Sequence, residues 1–171
     1  MMRQTDRVPR ERKPKPPIPR DAYASGMGLL ARREHSSREL AAKLARKGLE
    51  KTDVRDAVDR LKEKRYQSDD RFGGVIARTR VAQGYGPLRI RAELRSHGLS
   101  EPQIRAAIDA AEADWRSIAA QQLKRRFGSK NAADAAERAR RAQFLLRRGF
   151  DPATVRTVTR AVVDDPGEEF D

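Results

Sequence analysis

The chain has 171 residues, with 38 Lys and Arg against 25 Asp and Glu, a net charge of +13 and no cysteine. Disulfides and thiolate metal sites are therefore excluded, and no run of about 18 apolar residues exists that could span a bilayer as a helix. Charged residues reach 37%, so the folded surface is largely ionic, and the cation excess suits nucleic acid, an anionic membrane surface or an acidic protein as partner.

Residues 1–20 carry seven basic and two acidic residues, and Pro14, Pro16, Pro17 and Pro19 forbid regular helix there. A disordered basic arm is predicted, with no apolar h-region of a secretory signal. Together with the missing cysteines this points to a soluble protein of the reducing cytoplasm. A first unit, 21–67, opens with helical periodicity from Asp21 to Arg33 through Tyr23 and Leu30. Ser36 and Glu39 then form a capping-box pattern before SRELAAKLARKGL, Ser37 to Leu49, and a further helix starts behind the weaker cap Glu50, with Leu49 opposite Val54.

The second unit, 68–111, repeats the plan. Ser68 caps a helix reaching Gln83 through Phe72 and Ile76, and Gly86 and Pro87 open PLRIRAELRSHGL, Pro87 to Leu99. Ser100 and Gln103 box the next helix, stapled by Leu99 to Ile104. In the third unit, 112–163, the helix through Trp115, Ile118 and Leu123 is predicted to run on continuously from Glu101, since no breaker intervenes before Gly128. RARRAQFLLRRGF, Arg138 to Phe150, follows, and Asp151, Pro152 and the Phe150–Val155 pair start the last helix. Asp164 to Asp171, DDPGEEFD, holds five acids and is predicted to be a solvated tail. The arm and tail cancel in charge, so the basic excess belongs to the middle.

One phrase thus occurs three times, at spacings of 50 and 51 residues. Gly48, Gly98 and Gly149 stand where a helix ends in the left-handed conformation, each followed by a large apolar residue, Leu49, Leu99 or Phe150. Its partner in a Schellman ending is Leu44, Leu94 or Leu145. The fold class predicted is all-α: three tandem three-helix, helix-turn-helix-like repeats forming an elongated, curved array, each repeat too small to be stable alone. Two features run against the pattern. Gly26, Gly28, Gly73 and Gly74 fall inside helices, and Arg141 replaces the apolar residue seen at Leu40 and Ile90.

These motifs resemble the RecX family, regulatory proteins that act on the RecA recombinase. The likeness rests on LLARREHSSREL with LARKGL, on SDDRFGGVIARTR, on GYGPLRIRAELRSHGL and on FLLRRGF, and covers about Tyr23 to Val163. It implies three tandem three-helix repeats, no catalytic centre, and binding to RecA–DNA filaments that inhibits recombination and co-protease activity. The proline-rich arm and the helix glycines depart from the family pattern.

For the site, the candidates are arginines. Arg46, Arg95, Arg147 and Arg148 sit in the last turns of the repeated helices, where the macrodipole alone favours cations. That does not account for Arg32, Arg33, Arg38, Arg78, Arg80, Arg89 and Arg91, and a basic surface made jointly by several units is predicted. Other chemistry is poorly represented. His35 and His97 lack metal-ligand spacing, Asp69 and Asp70 read as first-turn acids, and GYG at Gly84–Gly86 lacks the remainder of a phosphate loop. No enzyme, metal or cofactor is predicted. The leading expectation is a monomeric, non-enzymatic regulator on the RecA filament, in DNA repair and the SOS response, with single-stranded and also double-stranded DNA within reach. The alternative is a helix-turn-helix-like protein that binds DNA directly.

Overall fold

The computed structural model describes residues 21–161, so the predicted arm at 1–20 and tail at 164–171 lie outside the described residues. Nine helices and no strand occur among the described residues: α1 (Ala22–Leu30), α2 (Ser37–Ala45), α3 (Lys51–Glu63), α4 (Asp69–Ala82), α5 (Pro87–Ser96), α6 (Glu101–Asp109), α7 (Trp115–Phe127), α8 (Ala135–Arg147) and α9 (Pro152–Ala161). They group in threes, α1–α3, α4–α6 and α7–α9, and in each group the three helices pack mutually.

Short polar side chains begin most of the helices by accepting orphan amide protons, whereas Glu50 before α3 and Gly86 before α5 make no such bond. Ser36 Oγ accepts from the Glu39 amide at 3.1 Å, Ser68 Oγ from Arg71 at 3.3 Å, and Asp134 Oδ1 from Glu137 at 2.7 Å. Glycines end the repeated helices at φ +80° (Gly48), +88° (Gly98) and +87° (Gly149). Gly98 and Gly149 donate to Arg95 and Leu146, while Leu99 and Phe150 donate back to Leu94 and Leu145, the two bonds of a Schellman ending. Gly48 makes the corresponding bond to Ala45.

Each unit has its own core. Leu40, Leu44, Val54, Val58 and Leu61 fill the first; Phe72, Ile90, Leu94 and Ile104 are at the centre of the second; Leu123, Leu145, Phe150 and Val155 are at the centre of the third. Gly26 and Gly73 let helices approach closely, since a Cβ would lie 2.6 Å from Leu61 Cδ1 or 2.8 Å from Leu99 Cδ2. Arg141 stands in the buried slot of Leu40 and Ile90, yet the core tolerates it. Its guanidinium binds Glu137 Oε1 at 2.6 Å and lies 5.4 Å from the centre of the Phe127 ring.

One sequence expectation fails. The segment from Glu101 to Phe127 is two helices: α6 stops at Asp109, Glu112 takes φ +46°, and Asp114 Oδ1 caps α7 through the Arg116 and Ser117 amides at 3.1 Å. A non-glycine residue makes this left-handed turn, as Arg65 does at φ +58° after α3, so no glycine in the sequence marks it.

The joints between units differ. At the first, Asp69 accepts from the Ser37 amide and hydroxyl, both at 2.7 Å, and Arg71 reaches Glu34 Oε1 at 2.8 Å and the Arg65 and Tyr66 carbonyls. Buried Gln67 joins the same knot through the His35 carbonyl. At the second joint backbone meets backbone. The Gly86 and Leu88 amides donate to the Arg148 and Gly149 carbonyls at 2.9 Å, and Trp115 packs against the cores on both sides.

Candidate partner-binding surface

The eleven candidate arginines divide according to what each guanidinium already holds. Four are tied to carboxylates: Arg33 to Glu39, Arg80 to Glu93 at 2.6 Å, and Arg91 and Arg95 both to Glu101. Such pairs satisfy the cation locally and leave less charge to offer a partner. Two more belong to the second joint. Arg148 donates to the Gln83 and Gly84 carbonyls at 3.2 Å, and it and Arg89 flank the Tyr85 ring at 5.4 and 4.6 Å.

The remaining five, Arg32, Arg38, Arg46, Arg78 and Arg147, are exposed and make no ion pair among the described residues. They come from all three units: three from the first, one from each of the others. Arg46 and Arg147 occupy the same place in their repeats, beside the helix-ending glycine. Arg38 also lays its aliphatic stem along Gly98, where a Cβ would meet its Cδ at 3.3 Å.

Sequence reasoning passed over another cationic group. Lys124, Arg125 and Arg126 form the exposed last turn of α7, and Lys130, Arg138 and Arg140 follow, all exposed. The run LKRRFG is its signal in the sequence, and it lies outside the repeated phrase.

The acids among these cations are held ionised. Burial alone would raise the Glu39 carboxyl, yet Arg33, His35 and Lys43 around it bring it from an ordinary 4.5 down to about 2. Lys43 sits one turn away at 3.2 Å, as the sequence suggested, and His35, buried, has Nδ1 at 3.1 Å. The Arg80 guanidinium, hydrogen-bonded to Glu93, lowers that carboxyl as well. Asp69 and Asp70 stand in the first turn of α4; Asp69 ties the first joint, and Asp70 accepts from Gln103 Nε2 at 2.9 Å. His97 lies tilted on the Phe72 ring at 4.8 Å. Among the described residues no three His, Asp or Glu side chains come together as a metal site would need, and no helix is long and apolar enough to cross a membrane.

Three family models match this succession of units: the first three-helix domain of RecX over residues 22–61, the second over 68–108 and the third over 113–159. The chain belongs to the RecX family. The Regulatory protein RecX of Xanthomonas axonopodis pv. citri (strain 306) is 45% identical over 139 residues, covering 81% of this chain and 86% of that one. That of Stenotrophomonas maltophilia (strain R551-3) is 42% identical over 156 residues, covering 91% and 94%. A crystal structure of RecX from Lactobacillus salivarius superposes with a TM-score of 0.69 at 17% identity, over 83% of this chain and 94% of that chain, a likeness of fold. These RecX relatives are named as regulatory proteins.

Proposed function

We propose that this protein is a non-enzymatic regulator that binds RecA–DNA filaments and inhibits recombinase, ATPase and co-protease activity. The carrying observation is that arginines without an ion pair among the described residues, Arg32, Arg46, Arg78 and Arg147 with Arg38, are contributed by all three units. A tandem array can meet successive subunits of a repeating polymer, and weak contacts linked in one chain gain effective concentration. Acidic patches on the protein lattice and phosphates of its DNA would both attract these cations. The name of the relatives, Regulatory protein RecX, supports the reading. On this reading the molecule is cytoplasmic and monomeric, and its units run 21–67, 68–111 and 112–163.

The experiment reverses charge at Arg32, Arg46, Arg78 and Arg147 together, sparing the paired arginines and Arg38 at the joint. Filament affinity should fall by roughly tenfold or more while far-ultraviolet circular dichroism is unchanged. Undiminished affinity would remove this surface from the contact.

A further inference from the structure

Between α2 and α3 of the first unit runs an open channel of about 470 Å³. Its floor is apolar, made by Ala41 and Ala45 of α2 and the outer edges of Val54 and Val58 of α3. Its rim carries Arg38, Lys51, Arg55 and Lys62 against the one acid Asp59. Among the described residues Arg38, Lys51 and Lys62 are exposed and hold no ion pair, and Arg55 pairs with its neighbour Asp56.

The repeat itself supplies the control. In the second unit the positions of Ala41, Ala45 and Lys51 are taken by Arg91, Arg95 and Glu101, fifty residues on. There Glu101 Oε2 accepts from Arg91 at 2.8 Å and its Oε1 from Arg95 Nε at 3.0 Å, so an arginine–glutamate rack spans the two helices. In the third unit Leu146 replaces Ala45 and Pro152 replaces Lys51. Only in the first unit do small side chains and a free lysine coincide at these positions. Leu40 and Leu44 fill the core from α2, with Ala41 packed at its edge.

We infer that this channel is a docking groove for an acidic peptide segment that carries apolar side chains. Leucine or phenylalanine side chains would cover the alanine–valine floor, and carboxylates on either side would meet Arg38, Lys51 and Lys62. Charge complementarity selects an anion, and the apolar floor selects a peptide over a phosphate backbone, whose ligands are polar donors. The inference goes beyond filament binding and does not depend on it, because it concerns one unit and one segment of a protein partner.

The test uses the full chain and a labelled synthetic peptide of about ten residues in which Asp and Glu alternate with Leu and Phe. Methyl NMR of the unaltered protein should show shifts at Ala41, Ala45, Val54 and Val58, saturating with peptide. The variant A41R/A45R/K51E writes the second unit's rack into the first without changing net charge. It should weaken the peptide by roughly tenfold or more while leaving affinity for a thymidine oligonucleotide as it was. No binding up to about 1 mM, shifts at other methyls, or equal binding by the variant would each overturn the inference. So would displacement of the peptide by the oligonucleotide with shifts at the same four residues, which would make the channel a nucleic-acid site.

Discussion

Replacing the helix-ending glycine by alanine at Gly48, Gly98 and Gly149 separates the cost of a left-handed residue from the cost of opening a joint. All three glycines have φ near +80° to +88°, so each alanine loses about 1–2 kcal/mol from backbone conformation alone. At Gly48 nothing lies within 4 Å of the added Cβ, and the loss should stop there. At Gly98 the neighbour is the Arg38 stem at 3.3 and 3.4 Å, a flexible side chain that can give way. At Gly149 the Cβ would sit 2.4 Å from Arg89 Cβ and 2.5 Å from its backbone nitrogen, so α5 must move. The Gly86 and Leu88 amides then lose the Arg148 and Gly149 carbonyls, and a buried amide left unpaired costs about 1–3 kcal/mol. G149A should therefore lose about 2 kcal/mol more than G48A. Three separate cores make a single unfolding transition an unsafe readout, so amide hydrogen exchange at Gly86 and Leu88 is the better assay. Both amides should exchange at least about tenfold faster in G149A and at the parent rate in G48A. Equal destabilisation by the two variants, with those amides unchanged, would refute the backbone joint.

Leu94 is fully buried at the centre of the second core, and Leu94→Ala should cost about 2–5 kcal/mol; a loss below about 0.5 kcal/mol, read from hydrogen exchange of the α5 and α6 amides, would contradict its place there. Because the folded Glu39 carboxyl lies near 2 and its ordinary value is 4.5, its contribution is complete above pH 4.5 and lost as pH falls from there through 2. The stability gap between the parent and Glu39→Gln should accordingly shrink over that window, and a gap that stays constant would contradict the cluster. Arg141→Leu restores the apolar residue of the other repeats and removes a buried cation. It should leave stability equal or raised in thermal unfolding, and a loss above about 3 kcal/mol would mean the Glu137 pair holds the unit together.

The three-helix plan was legible because the same local physics is written three times. An i to i+4 apolar pair and a glycine followed by an apolar anchor recur at Leu40 and Leu44, Ile90 and Leu94, and partly at Arg141 and Leu145. What escaped was any feature lacking a special residue type. Glu112 turns the chain left-handed without being glycine, so α6 and α7 read as one helix. Ser36 caps α2 as expected, but the Glu39 carboxylate turns to Arg33, His35 and Lys43 rather than back to the cap. The candidate arginines showed the same limit. Sequence spacing gives a cation's helix position, whereas its availability depends on acids distant in sequence or packing. Arg80 meets Glu93 thirteen residues on, and Arg148 meets Gln83 sixty-five residues back.

The most direct trial of the central claim compares affinity for single-stranded DNA alone, free recombinase and the assembled recombinase–DNA filament, at about 150 mM salt. Summed contacts across neighbouring subunits predict that the filament is bound far more tightly than either component. Bare DNA bound as tightly as the filament, with a salt slope that accounts for all of the binding, would contradict it.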